Sequence, residues 1–278
     1  MTQQGAPGAD FSLQGRVIVI TGGGGLLGPR HAAAVAAMGG IPVVADLRAD
    51  AAERVAAEVA KAFGVDAMGA ALDVTDESSV EALAARVHGR FGRVDGLVNN
   101  AANNPRVEDG DAAFARLESF PRGQWDADVA VGLTGSFLCA KHFGAAMARA
   151  RRGAIVNVSS EYGVIAPDQR LYREPGKPDD QQPVKPVSYT AVKAGLHGLT
   201  MYLSTYWADA GVRVNTITVG GVENGQPAEF LRRAAERIPL GRMGRPTDYQ
   251  GALVFLLSDA SAFMTGANVV VDGGKSVW

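Results

Sequence analysis

Short runs of β-branched and apolar residues alternate along this chain with longer Ala-rich stretches that have helical spacing. Arg16–Ile20 (RVIVI) reads as a buried strand. It is followed by a helix over His31–Gly39, closed by Gly39-Gly40. Pro42–Asp46 is the next strand. Ala51–Phe63 is the next helix, with Val55 and Val59 on one face and Arg54, Glu58 and Lys61 elsewhere. Ala67–Leu72 predicts a third strand, Glu77–Phe91 a helix and Gly96–Asn99 a fourth strand. Later strands are Ala154–Val158, Arg213–Thr218 and Asn268–Val271, with helices over Trp125–Arg149, Val192–Asp209 and Thr247–Leu257. This β-α alternation predicts an α/β fold, a parallel sheet with helices on both faces.

Two segments break the rhythm. Ala166–Val187 is polar, carries five prolines and has no period; Gly220–Arg245 mixes glycine, proline and a short basic helix. Loops this long inside compact domains are usually functional or disordered. Both are expected at the carboxyl ends of strands, where open α/β sheets bind ligands. Residues 1–12 read as a flexible lead-in, and 13–278 as one Rossmann-type domain with no internal repeat.

The chain has 278 residues, 47% hydrophobic and 20% charged, enough apolar content for a large core. A net charge of −2 gives no nucleic-acid footprint. The first ten residues lack the basic and apolar runs of a signal peptide, and no apolar stretch reaches the length of a membrane span, so a soluble cytoplasmic protein is expected. A single cysteine, Cys139, excludes an internal disulfide and a CxxC metal site, and reads as a buried thiol. His31, His88, His142 and His197 are scattered without zinc-ligand context, and no metal is expected.

The first strand runs into Thr21-Gly-Gly-Gly-Gly-Leu-Leu-Gly28. Gly23, Gly25 and Gly28 fit GxGxxG; Gly22, Gly25 and Gly28 fit TGxxGxxG. Such a turn reverses tightly, lets backbone N–H groups approach a pyrophosphate, and packs the following helix on the sheet. Pro29 sits in the first helical turn, where a missing N–H costs little. Asp46 ends the second strand, 18 residues beyond Gly28. An acid there accepts hydrogen bonds from ribose hydroxyls and repels a 2′-phosphate. With an apolar Leu47 next to it and no basic residue at Gly25, NAD is favoured over NADP; Arg48 is the residue that could oppose this.

Tyr189-Thr-Ala-Val-Lys193 places Tyr189 and Lys193 on one helical face. A tyrosine of pKa roughly 10 is a poor proton shuttle at neutral pH, and lowering it by ~3 units requires about 4 kcal/mol. The ammonium of Lys193 and a nicotinamide cation could together supply much of that. Ser159-Ser160, directly after Ile155–Val158, offers a hydroxyl to orient a substrate carbonyl while Tyr189 delivers the proton.

With TGGGGLLG (21–28), Asp46, Asp73-Val74, Asn99-Asn-Ala-Ala102, IVNVSS (155–160), YTAVK (189–193), RVNTITVGG (213–221) and VDGG (271–274), nearly the whole chain resembles the short-chain dehydrogenase/reductase family. The resemblance implies a doubly wound, seven-stranded parallel sheet and hydride transfer between NAD and an alcohol or ketone. It also implies Ser160, Tyr189 and Lys193 as the catalytic group. The cofactor would be held by Gly22, Gly25, Leu26, Leu27, Gly28, Asp46, Leu47, Asp73, Val74, Asn100, Ala101, Ala102, Tyr189, Lys193, Gly220 and Val222. The helices Trp125–Arg149 and Val192–Asp209 and the tail VDGGKSVW are similar to segments that form the family's homodimer or homotetramer.

This chain departs from the family pattern at four places. Leu26 stands where the turn usually has its second glycine. Ala102 replaces the glycine of Asn-Asn-Ala-Gly. Val219-Gly220 replaces Pro-Gly. Gly132, 28 residues before Ser160, replaces an asparagine that in the family holds a water relaying protons to the lysine. Ser160 and Tyr189 also lie 29 residues apart, separated by the insert with Asp168, Arg170, Tyr172, Arg173 and Glu174. Longer loops add little closure entropy. Those side chains suit a polar or sugar-like alcohol, and Arg232, Arg233, Arg237, Arg242 and Arg245 either meet an anionic substrate or form a solvated helix face. The leading expectation is an NAD-dependent secondary-alcohol dehydrogenase of a sugar or nucleotide-sugar subgroup (EC 1.1.1.-). A 3-oxoacyl-type reductase and a non-catalytic NAD-binding scaffold are the alternatives.

Overall fold

The apolar runs assemble into one sheet, described here in a computed structural model over residues 10–104 and 116–278. Its strands are β1 (Val17–Thr21), β2 (Ile41–Asp46), β3 (Met68–Ala71), β4 (Gly96–Asn99), β5 (Gly153–Ser160), β6 (Val212–Val219) and β7 (Asn268–Val271). All pair in parallel in the order β3-β2-β1-β4-β5-β6-β7. The order reverses between β1 and β4, and that switch point is where such sheets open a crevice at their carboxyl ends.

Successive strand residues face opposite sides of a sheet. Ile18, Ile20, Val44, Val98, Val156 and Ile217 join one core, against α1 (Gly28–Ala37), α2 (Ala49–Phe63) and α9 (Gln250–Leu257). Val17, Val19, Val43, Leu97, Ile155 and Val214 join the other. The second core is covered by α3 (Glu77–Phe91), α5 (Gly135–Cys139), α6 (Ala145–Arg149) and α7 (Val187–Tyr206), with α4 (Arg122–Val129) preceding α5. Cys139 is fully buried there, and burial pushes its thiol up to about 12. The basic stretch after β6 forms α8 (Ala228–Ala235). Among the described residues no helix is long and apolar enough to cross a membrane.

Element boundaries shift in three informative places. The helix expected at Val192 starts at Val187, with Pro186 as its N-cap, and ends at Tyr206 rather than Asp209; Tyr189 therefore lies in its first turn. The helix expected over Trp125–Arg149 starts at Arg122 and is widened into π-turns at Ala130–Thr134 and Ala140–Gly144. In the first of these the Ser136 hydroxyl donates to the Gly132 carbonyl at 2.8 Å, a side-chain bond that competes with the helix ladder. The first helix begins at Gly28 instead of His31, directly on the glycine turn.

Of the lead-in expected over residues 1–12, residues 1–9 lie outside the described residues. Asp10 accepts a backbone bond from Ala260 at 2.8 Å, and the Phe11 ring packs 6.2 Å from that of Phe255.

Candidate active site

One cavity of about 450 Å³ opens at the carboxyl ends of β1, β4, β5 and β6. Gly22, Gly25, Leu26, Leu27, Asp46, Asn100, Ala101, Ala102, Gly220 and Val222 line it together with Ser160, Tyr189 and Lys193. Gly28, Leu47, Asp73 and Val74 are not among the lining residues. Gly28 packs the first turn of α1 onto the loop, since a Cβ there would fall onto the backbone of Gly23. Leu47 is exposed, Asp73 accepts from the Thr75 backbone and hydroxyl at 2.9 and 2.6 Å, and Val74 packs on Gly135.

The glycine turn is held by side chains as well as by its own conformation. Asn100 Nδ2 donates to the carbonyls of Thr21 and Gly22 at 2.9 and 3.0 Å. Thr21 Oγ1 accepts from the backbone of Asn100 and Ala101 at 3.0 and 3.1 Å. Gly22 has φ +61, and a Cβ there would lie 2.8 Å from the Ala101 Cα. The turn and the loop after β4 thus approach so closely that only glycine fits. The cradle suits a dinucleotide: Gly22 and Gly25 bring backbone to the cavity wall, and a Cβ on Gly25 would lie 3.3 Å from the Gly22 carbonyl. Asp46 Oδ2 accepts from Gly24 N–H at 2.9 Å and Oδ1 from Arg48 N–H at 3.1 Å, which fixes a carboxylate at the rim of the cavity. The loop after Val219, which lacks the usual proline, is tied instead by Tyr249, whose hydroxyl donates to the Gly220 carbonyl at 3.1 Å.

The three residues of the proposed catalytic group come from two elements. Ser160 ends β5; Tyr189 and Lys193 share a face of α7. Lys193 is buried, and its Nζ donates to the Val158 carbonyl at 2.8 Å and lies 5.8 Å from the Tyr189 ring centre. Burial, aided by the charge of Lys185, pulls the Lys193 ammonium down to about 8. Tyr189 stands half-buried at the cavity wall, and burial pushes its phenol up to about 12, against a downward pull from the Ser160 hydroxyl. In the protein alone, burial therefore outweighs the depression expected from Lys193. The helix start is clamped by Asp128 of α4, which accepts from Ser188 Oγ at 2.5 Å, Gln124 Nε2 at 2.7 Å and Asn103 Nδ2 at 3.2 Å.

The insert reaches the site with Tyr172, one of the expected residues, and with Leu171, whereas Asp168, Arg170, Arg173 and Glu174 are not among the lining residues. Leu171 and Tyr172 line the cavity and pack with Phe230, Ala234, Ile238 and Met243 into a small apolar cluster that includes residues of α8. Asp168 is engaged by Arg170 and by Arg237 at 2.9 Å, and these partners hold its carboxyl well below the usual range. Arg173 pairs with Asp179, and Glu174 with Lys177. Three of the four remaining arginines follow suit: Arg232 pairs with Glu229 and Glu236, Arg233 donates to the Arg173 carbonyl, and Arg242 pairs with Asp248. Besides Tyr172, the cavity carries the polar side chains Glu161, Tyr162, Lys275, Asn104, Lys185, Asn224 and Gln226, none of which the sequence singled out. Lys185 Nζ lies 4.0 Å from the Tyr189 ring centre and donates to Asn104 Oδ1 at 2.7 Å. Glu161 had one visible signal, its position directly after Ser160; Lys275 had only its place after Asp-Gly-Gly.

Comparison with known proteins shows the family and the fold. Residues 16–172 match the family model described as short chain dehydrogenase, and residues 181–276 match that described as Enoyl-(Acyl carrier protein) reductase. The chain is 37% identical over 273 residues to the D-threitol dehydrogenase of Mycolicibacterium smegmatis, covering 96% of this chain and 95% of the relative. It is 33% identical over 277 residues to an NADP-dependent mannitol dehydrogenase of Hypocrea jecorina, covering 95% and 93%. The crystal structure of a gluconate 5-dehydrogenase from Burkholderia cenocepacia in complex with NADP and tartrate superposes with a TM-score of 0.84 at 29% identity, covering 97% of this chain and 98% of that one.

Proposed function

This chain belongs to the short-chain dehydrogenase/reductase family, and we propose that it is an NAD(H)-dependent dehydrogenase interconverting a polar secondary alcohol and its ketone. Homologous alcohol and polyol dehydrogenases support an oxidoreductase acting on polar alcohols. One observation carries the reading: Ser160, Tyr189 and Lys193 line the same cavity as the glycine turn.

The turn, Asn100 and Ala101 would hold the dinucleotide, whose nicotinamide supplies the hydride acceptor or donor. Ser160 orients the reacting oxygen, and Tyr189 takes or returns its proton at the phenol oxygen. Lys193 contributes positive charge beside that phenol, favouring its ionised form when the proton must leave the substrate. Leu171, Tyr172, Phe230 and Ala234 line the cavity with apolar surface and would limit water at the reacting carbon. Asp46 supports NAD: a 2′-phosphate at this rim would face a fixed carboxylate. Relatives with NADP in their names make this choice a matter for direct measurement.

The test is oxidation of a panel of polyols, simple secondary alcohols and acyl thioester alcohols by the purified protein, followed by nicotinamide absorbance with NAD and NADP in parallel. Turnover of polyols with NAD is expected. Binding of NADH without turnover of any alcohol or ketone would overturn the enzyme reading, and preference for acyl thioesters would favour a 3-oxoacyl-type reductase. We also propose a homodimer or homotetramer. Phe137 of α5 and Met201, Tyr202 and Tyr206 of α7 present an exposed apolar face, as do Phe263, Val277 and Trp278 near the C-terminus. Light scattering after size-exclusion chromatography measures the state directly.

A further inference from the structure

We propose that Glu161 and Lys275, an ion pair in the cavity wall, read a second hydroxyl on the carbon next to the reacting one, so that this enzyme selects neutral vicinal diols. This rests on the dehydrogenase reading above and names its substrate class and specificity residues.

Ser160 is the last residue of β5, and Glu161 opens a 3-10 turn, Glu161–Gly163. Side chains alternate across a continuing strand, but the turn brings both of these to the same cavity. Glu161, Ser160 and Tyr189 line one cavity, and the Glu161 charge acts on the Tyr189 phenol, so a group bound at Glu161 belongs beside the reacting centre. Glu161 is 2% exposed and accepts from Lys275 at Oε1 and from Gly221 N–H at Oε2, 3.2 Å away. Lys275 arrives from the C-terminal turn Lys275–Val277 and lies 4.8 Å from the Tyr162 ring centre.

The donors do not all end within this group. An ammonium has three N–H bonds; among the described residues two are directed at Glu161 and the Tyr162 hydroxyl, the latter at 3.3 Å. The Tyr162 oxygen also accepts from Tyr172 at 3.2 Å, which leaves its own proton to be donated. The wall therefore offers an anionic acceptor beside cationic and phenolic donors.

The pair's charges cancel, so it presents a dipole. A hydroxyl, which donates and accepts at once, matches that dipole. A carboxylate would gain from Lys275 but be repelled by Glu161. A purely structural origin is a weak account of the pair, because a buried ion pair is often no more stabilising than apolar residues of the same volume.

The experiment compares kcat/KM for a vicinal diol, the mono-alcohol of equal chain length and the corresponding hydroxy acid. It is run on the native enzyme, on the double variant Glu161→Gln/Lys275→Met, and on Tyr162→Phe, which keeps the ring. NADH titration and thermal unfolding verify that each variant is folded. The native enzyme is expected to favour the diol over the mono-alcohol by about 10- to 100-fold, the scale of one hydrogen bond to a charged group. The double variant is expected to lose most of that ratio and Tyr162→Phe part of it. A native enzyme that turns over both alcohols equally, prefers the hydroxy acid, or keeps its diol preference in both variants would overturn the proposal while leaving the dehydrogenase reading intact. No turnover of any alcohol or ketone would remove the dehydrogenase reading and this proposal with it.

Discussion

Val192 fills the space beside Gly132: a Cβ built on residue 132 would fall inside the Cγ1 methyl of Val192. The family resemblance places an asparagine at 132, and in this structure a side chain there would have to displace Val192. The two residues are a matched pair, one emptied and one filled. The Gly132 carbonyl is taken up by Ser136. Position 132 thus offers no side chain to a proton relay, and a methyl of Val192 occupies the space that such a side chain would enter.

The first prediction follows from that pair. Gly132→Ala gains up to about 1 kcal/mol of helix propensity but forces the stiff, β-branched Val192 to move, and overpacking of this kind costs about 1–3 kcal/mol. Net destabilisation is expected, visible as a lower urea midpoint. Gly132→Ala/Val192→Ala should recover most of it, giving a coupling in the double-mutant cycle of at least about 0.5 kcal/mol. Additive effects would show that the two side-chain positions do not compete.

Tyr189→Phe tests the proton transfer. General acid–base groups contribute about 10²- to 10⁴-fold, and kcat should fall within that range while NADH affinity, followed by fluorescence titration, changes little. Ser160 and Lys193 stay in place in this variant, so residual turnover near the native rate would remove Tyr189 from the role proposed for it.

Asp46→Asn keeps an acceptor for the Gly24 N–H and removes one negative charge from the rim of the cavity. The ratio of kcat/KM with NADP to that with NAD should rise about tenfold, the scale of one charge–phosphate repulsion at a partly solvated site. An unchanged ratio would place cofactor choice elsewhere, with Arg48 the next residue to vary.

The fold was largely legible because buried parallel strands are short apolar runs, as in Val17–Thr21 and Ile41–Asp46, and the residues between them keep a helical period. That Ser160, Tyr189 and Lys193 would share one cavity was legible for a similar reason: the Tyr–Lys pair is local, four apart on α7, and Ser160 closes a strand. What escaped was non-local or geometric. Glu161 and Lys275 are 114 residues apart, and no periodicity links a buried acid to a C-terminal lysine. Asp128 reads as one more polar position in Trp125-Asp-Ala-Asp128, and only the packing of α4 on α7 brings it to Ser188. The start of α7 was missed because Pro183 and Pro186 read as loop, although a proline just outside a helix is compatible with starting it. The insert's charges looked like substrate ligands because sequence cannot show that Asp168 is already held by Arg170 and Arg237.

His31 gives a prediction about stability and pH. It is fully buried in α1, its two ring nitrogens have no hydrogen-bond partner among the described residues, and burial pulls its pKa from 6.5 down to about 4. The folded state therefore favours neutral imidazole, whereas the unfolded chain takes up a proton near pH 6.5. The unfolded state binds more protons throughout that window, so unfolding free energy falls as pH drops from about 6.5 to about 4. A difference of this size corresponds to ~3 kcal/mol, complete below the folded pKa. Urea denaturation at pH 7.5, 6, 5 and 4 should show the loss, and His31→Leu should lose less stability over the same interval by about that amount. The comparison is between two proteins at each pH, so carboxylates that titrate in the window contribute equally to both. If native and His31→Leu proteins lose stability in parallel from pH 6.5 to 4, the imidazole is not held neutral in the fold.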